Sequence, residues 1–160
     1  VCKRGNRHNC TSSEENIMNK SFRGKLADGD SNRIRLSTND GLTGYKIAKF
    51  QIMGLTENQT SEGSCKIFTV SQDEVTTPTA SINFNNPTLL AAALYGDSSS
   101  SPGNAEATII FDNMIFNQDI YIAWKDGFAQ SINYYIELEQ VKLDLNEATV
   151  ATLKDMRGRE

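Results

Sequence analysis

Three residues near the start of the chain have side chains that could bind a metal ion or act in nucleophilic catalysis: Cys2, His8 and Cys10. A thiolate–imidazole cluster can hold zinc, but this spacing fits no standard finger and a fourth ligand is missing nearby. The only other cysteine is Cys65, and an odd count argues against a disulfide framework. We therefore expect free thiols and no metal. Because His8 is the only histidine, most Ser/His and Cys/His triads are excluded.

Carboxylates are the remaining candidates for catalysis or cation binding. Asp28, Asp30 and Asn32 have the opening spacing of a calcium loop, but the glycine and the glutamate that should follow are absent. That segment therefore predicts a turn. A glycosidase needs two carboxylates at a fixed separation, but alternating carboxylates on a strand are the ordinary solvent face. We expect this solvent-face role, and neither enzymatic activity nor a cofactor, for the two pairs Asp112 with Asp119 and Glu137 with Glu139.

Aromatic residues cluster around one predicted hairpin: Tyr121, Trp124, Phe128, Tyr134 and Tyr135. Such a cluster could form a platform for sugars or a surface for a protein partner, although aromatic residues more often belong to the core. Trp124 and Tyr134 have the inward parity of two adjacent strands, so we expect both side chains to be buried.

Charge is unevenly distributed along the chain. Residues 1–25 hold six basic and two acidic residues, a net charge of +4, whereas the remainder has a net charge of −8. Residues 1–20 lack hydrophobic periodicity and predict an extended arm that becomes ordered on a neighbouring subunit, with a solvated tail as the alternative. Residues 21–160 predict one domain. The arm residues predicted to bind a partner are Lys3, Arg4, Arg7, Ile17 and Met18.

The same charge balance narrows the choice of partner. A body with a net charge of −8 is poorly suited to phosphate backbones, so we do not expect nucleic-acid binding. The longest apolar run, residues 89–95, is far shorter than the ~20 residues of a membrane-spanning helix. We therefore expect protein partners.

The stretch from residue 107 to residue 143 positions most of these candidates. Apolar and polar residues alternate in three consecutive segments, the signature of half-buried antiparallel strands. Earlier segments predict strands at 21–26, 33–36, 44–53, 65–70 and 81–84. Phase slips predict bulges between Ile47 and Ala48 and near Gln140.

Two helices complete the predicted fold. Asn86 and Pro87 predict the start of a short crossover helix over 88–95, with Gly96 as its stop. Asn146 predicts the cap of a C-terminal helix that ends near residue 156. Successive strands without intervening helices favour a mainly β protein, an antiparallel, jelly-roll-like β-sandwich with a short crossover helix and a C-terminal helix.

Several runs of the sequence resemble small, mostly uncharacterised virion structural proteins of marine tailed bacteriophages. They are 20–25 (KSFRGK), 35–41 (RLSTNDG), 108–122 (TIIFDNMIFNQDIYI), 133–139 (NYYIELE) and 143–155 (LDLNEATVATLKD). The resemblance implies a component of the virion, assembled in the cytoplasm of a host bacterium, and it supplies no catalytic residues.

We therefore expect a non-enzymatic structural protein, most simply a capsid decoration or cement protein that binds and bridges capsid subunits. A homo-oligomer is expected, with a trimer as one candidate state. The alternatives are a head–tail connector, tail or fibre component and, from another class, a carbohydrate-binding adhesion module.

Overall fold

A computed structural model describes residues 18–36, 41–100 and 105–157. It contains eight strands and two helices within these ranges. They are β1 (Asn19–Leu26), β2 (Ser31–Ile34), β3 (Thr43–Gly54), β4 (Ser61–Phe68), α1 (Asp73–Thr76), β5 (Leu89–Asp97), β6 (Glu106–Phe111), β7 (Ile120–Asp126), β8 (Ile132–Lys142) and α2 (Leu145–Arg157).

The strands form two antiparallel sheets, one with the order β1-β8-β3 and one with the order β2-β7-β4-β5-β6. The chain folds back on itself, so that β1 pairs with β8, β2 with β7 and β4 with β5. β3 continues this pattern, because its Tyr45 forms a β-bridge with Phe116, and Phe116 lies in the segment that follows β6. This pairing is that of a jelly roll. The predicted fold class, a mainly β antiparallel sandwich with a C-terminal helix, is confirmed.

The core lies between the facing surfaces of the two sheets. Its largest fully buried side chain is Trp124, whose indole nitrogen donates a hydrogen bond to the carbonyl oxygen of Gln130 at 2.8 Å. A buried indole N–H needs such a partner. Tyr134 is buried on the opposing sheet, with its ring directly over Gly24. The prediction that Trp124 and Tyr134 are inward is therefore confirmed.

One of the two predicted bulges is present. The pairing of β3 with β8 passes from Ile47–Leu138 to Lys49–Glu137, which leaves Ala48 as the extra residue. The bulge expected near Gln140 is wrong, because β8 pairs with β3 without a shift from Gln140 to Lys142. The apolar phase changes there because the strand ends, and Leu143 turns inward beyond it.

The predicted helix over 88–95 is wrong, because these residues lie largely in β5, between β4 and β6. The short helix of this crossover lies earlier, at α1, which is a single turn.

Residues 69–88, which include α1, form a loop over the outer face of the five-stranded sheet. The strand expected at 81–84 is therefore also absent from the described residues. Val75 and Ile82 pack there against Phe68. Residues 89–93 of β5 are thus covered on both faces, which explains the continuous apolar sequence of this part of the strand.

Helix α2 begins with reciprocal hydrogen bonds between two acidic residues. The Glu147 amide donates to the Asp144 carboxylate at 2.8 Å, and the Asp144 amide donates to the Glu147 carboxylate at 3.2 Å. This is a capping box, which satisfies two amide groups that the first helical turn leaves unpaired. Asp144 therefore caps the helix, and the predicted cap at Asn146 is wrong.

Candidate functional site

Most residues of the predicted arm lie outside the described part of the chain. This holds for Lys3, Arg4, Arg7 and Ile17, and also for the Cys2, His8 and Cys10 cluster. Met18 is described and is 63% exposed. Its carbonyl oxygen accepts a hydrogen bond from the amide of Gln140 at 3.1 Å, which places Met18 beside β8 as the chain enters β1.

The calcium-like spacing at Asp28 forms a turn, as expected. Gly29 has a φ of +81°, and the Asp28 carboxylate accepts hydrogen bonds from the Lys125 ammonium and the Asp126 amide. Burial alone would raise the pKa of Asp28, but these hydrogen bonds outweigh it and hold the pKa below its ordinary value. Through these hydrogen bonds the Asp28 carboxylate joins the β1–β2 turn to the end of β7, where the β7–β8 turn begins.

Three other candidate carboxylates, those of Asp119, Glu137 and Glu139, are also bonded to protein groups. Asp119 accepts hydrogen bonds from the Arg33 guanidinium and the Leu36 amide, at 2.7 and 2.8 Å. Glu139 pairs with Lys46, and Glu137 accepts the hydroxyl of Tyr135. Within the described ranges, no three His, Cys, Asp or Glu residues lie close enough to hold a metal ion.

Cys65 is fully buried in the sandwich, and its burial raises the pKa of the thiol well above the ordinary value. A thiol of this kind is a poor nucleophile and a poor metal ligand, since both roles require the thiolate. Cys65 is therefore a core residue.

The aromatic hairpin is dispersed rather than gathered into one platform. Trp124 and Tyr134 are core residues, and Phe128 lies exposed in the turn between β7 and β8. Tyr121 packs under the 69–88 loop, on the outer face of the five-stranded sheet. Tyr135 lies on the outer face of the other sheet, because it alternates with the inward Tyr134 and Ile136.

Helix α2 and the neighbouring Ile115 expose several apolar side chains, and we call these side chains together the α2 surface. The helix is attached to the body through the buried Ala151 and through a 3.0 Å hydrogen bond from the Asn117 amide to the Thr152 hydroxyl. Val150 and Leu153 are consequently turned outward, 51% and 49% exposed. A groove of about 450 Å³ separates the helix from residues 113–115. The α2 surface comprises Ile115, Leu145, Val150 and Leu153.

A second apolar area, the β6 patch, comprises Leu94 and Ile110, both of them exposed. Ala92 pairs with Ile110 and Leu94 with Thr108, so Leu94 and Ile110 are diagonal neighbours on the outer face. β6 ends the order of its sheet, and no strand among the described residues pairs with its free edge. The alternation of apolar and polar residues in the sequence did not reveal this patch. The sequence signal that could have revealed it is the run of three consecutive apolar residues at 109–111.

The outer face of the three-stranded sheet is polar, and we call it the polar face. Register places its side chains in three rows, each crossing β1, β8 and β3 in that order. The rows are Ser21–Glu137–Lys49, Arg23–Tyr135–Gln51 and Lys25–Asn133–Met53. Five of these nine residues, Arg23, Gln51, Met53, Asn133 and Tyr135, also border a groove of about 810 Å³.

Neither helix of the described residues is long and apolar enough to cross a membrane. No protein-family model matches the sequence, and no curated protein matches it either. The likeness to virion proteins of tailed bacteriophages therefore stays a prediction from the sequence.

Proposed function

We propose that this protein is a non-enzymatic virion structural protein, a capsid decoration protein that binds and bridges capsid subunits. The observation that carries the proposal is the outward apolar face of α2. A helix attached through a small residue, with Val150 and Leu153 exposed, presents its larger apolar side chains to a partner. Val150 and Leu153 are three residues apart and therefore neighbours on one face of the helix, and exposed apolar patches mark sites of protein association.

The energetic gain from covering this surface is appreciable. Full burial of a valine or leucine side chain stabilises by about 1.5–3 kcal/mol. Val150 and Leu153 are only about half exposed, so a partner would recover part of that amount from each. The adjoining groove of about 450 Å³ could receive an apolar side chain from the partner. The α2 surface thus supplies apolar area and shape for a capsid subunit.

Bridging requires a second adhesive surface, and the β6 patch supplies one. The free edge of β6 carries backbone groups that can pair with another strand, and Ile110 lies on this edge strand with Leu94 on β5 next to it. Exposed apolar edge strands readily recruit a further strand. We propose that the β6 patch binds a second subunit, either of the capsid or of a sister copy in a homo-oligomer.

The test is to replace both Val150 and Leu153 with glutamate and to measure rebinding to purified particles from which the protein has been stripped. We expect the double variant to lose most of its binding, because two charges would have to be buried without partners. Phe84→Glu is the matched control, since Phe84 is exposed on the 69–88 loop, outside both apolar surfaces. Equal retention of the double variant and the control would overturn the proposed role of α2.

The same assay separates the alternatives. A protein that rebinds only to tails, necks or fibres would be a connector or tail component rather than a decoration protein. A protein that associates with itself but not with particles would assign the apolar surfaces to the homo-oligomer alone.

A further inference from the structure

The polar face has a charge opposite to that of the rest of the domain. Its three rows contain the cations Arg23, Lys25 and Lys49 and the single carboxylate of Glu137. Residues 26–160 taken together have a net charge of −8. Among the described residues none of these three cations has an ion-pair partner within 4.0 Å, whereas Lys46 farther along β3 is paired with Glu139. The face is therefore a local anion-attracting area on an acidic body.

Tyr135 is fixed at the centre of this face. Its hydroxyl donates a hydrogen bond to Glu137 at 2.6 Å, and this hydrogen bond raises the pKa of Tyr135. The Lys49 ammonium lies 5.6 Å from the centroid of the Tyr135 ring. Arg23 and Gln51 flank the ring in the same row, one on each neighbouring strand. An aromatic ring, two cations and an amide thus occupy adjacent positions.

The chemistry of the face favours a sugar chain over a protein. Lysine, glutamate and serine, which supply four of the nine residues of the face, are depleted in the core of a protein interface, whereas arginine, tyrosine and methionine are enriched there. Here the only large aliphatic side chain among the nine is Met53, while Gln51 and Asn133 offer amide groups with both donors and acceptors. Strand geometry gives the face about 13 Å along the strands and about 10 Å across them, the dimensions of a short oligosaccharide site.

We propose that the polar face binds an acidic polysaccharide. Arg23 and Lys49 pair with its carboxylates, and Gln51 and Asn133 form hydrogen bonds with its hydroxyls. The groove of about 810 Å³ that these rows border gives the chain a path beyond β3, towards Ala107 and Ile109. This activity is independent of capsid binding through α2, and it would let a decorated particle adhere to an anionic glycan.

The test uses the full 160-residue chain and three probes of matched length in isothermal titration calorimetry: pentagalacturonate, the neutral cellopentaose and pentaglutamate. We expect binding to pentagalacturonate that weakens with added salt. Arg23→Gln and Lys49→Gln should each weaken it by about tenfold, since each removes a charge-assisted interaction. Lys46→Gln, on the same sheet but already paired with Glu139, is the matched control and should bind as the wild type does.

Each remaining outcome overturns the proposal. If pentaglutamate binds as tightly as pentagalacturonate, the face is a site for acidic polypeptides. If cellopentaose binds as tightly as pentagalacturonate, the cations do not contribute to binding. No binding of pentagalacturonate, or equal weakening by Lys46→Gln and Arg23→Gln, would exclude the site. Circular dichroism of the variants, all of them at exposed or half-exposed positions, would establish that each is folded.

Discussion

The ammonium group of Lys66 lies 3.0 Å from a carboxylate oxygen of Glu74, and this ion pair joins β4 to the loop that covers the outer face of the five-stranded sheet. Lys66 is only 1% exposed. Its ammonium also donates hydrogen bonds to the hydroxyl of Thr79 and the carbonyl oxygen of Ser81, at 3.2 and 2.7 Å. A buried charge with three partners anchors the loop at one point.

Glu74→Ala should therefore destabilise the protein. Removing one partner of a buried ion pair leaves an uncompensated charge, and we expect a loss of about 3 kcal/mol in the free energy of unfolding. Urea denaturation measures this loss. The matched control is Asp73→Ala, an exposed carboxylate in the same helical turn, which should change stability by less than about 0.5 kcal/mol. Equal effects at the two positions would show that the ion pair does not anchor the loop.

Gly63 is a position where the core leaves no space for a side chain. A Cβ atom there would lie 2.6 Å from the carbonyl oxygen of Lys125 and would also collide with the ring of Trp124. We expect Gly63→Ala to destabilise the protein by about 1–3 kcal/mol through overpacking. Gly96→Ala is the control, because no atom lies within 4 Å of the Cβ that alanine would add there, and the change should be within about 1 kcal/mol. A neutral Gly63→Ala variant would contradict the close packing of Trp124 against β4.

Asp28 should contribute to the pH dependence of stability. Its folded-state pKa is held below the ordinary value of 3.8, so its contribution is present above that pH and is lost as the pH falls through the folded pKa. Asp28→Asn should lower the free energy of unfolding by about 1 kcal/mol or more at pH 7, with a difference from wild type that shrinks below about pH 4.

The measurement is urea denaturation of wild type and Asp28→Asn at pH 7 and at the lowest pH where both remain folded. Glu57→Gln, in the exposed turn between β3 and β4, is the control and should stay within about 0.5 kcal/mol of wild type at pH 7. A difference between wild type and Asp28→Asn that grows on acidification would contradict the assigned direction of the pKa shift.

The sequence correctly predicted strands in which one face packs in the core and the other is more exposed to solvent. β8 alternates cleanly because one of its faces packs in the core, and the phase slip at Ala48 likewise located a bulge. β5 was mistaken for a helix because alanine and leucine favour helices, and residues 89–93, which are covered on both faces, show no alternation. Its cover is the 69–88 loop, a long-range arrangement that local pattern cannot reveal.

The candidate surfaces were harder to predict than the fold. Val150 and Leu153 form an apolar stripe in the sequence, but only the docking of Ala151 and Thr152 on the body shows that the stripe faces outward. Arg23, Tyr135 and Gln51 are far apart in sequence, and only strand register brings them into one row. Surfaces built from tertiary pairing leave little local signal.

The copy number of the chain in purified particles is the most direct test of the proposed function. Quantitative mass spectrometry against the major capsid protein would measure it. A decoration protein that bridges the capsid lattice should be present in hundreds of copies per particle. A dozen copies or fewer would contradict this role and favour a connector or fibre, and absence from purified particles would contradict a virion function altogether.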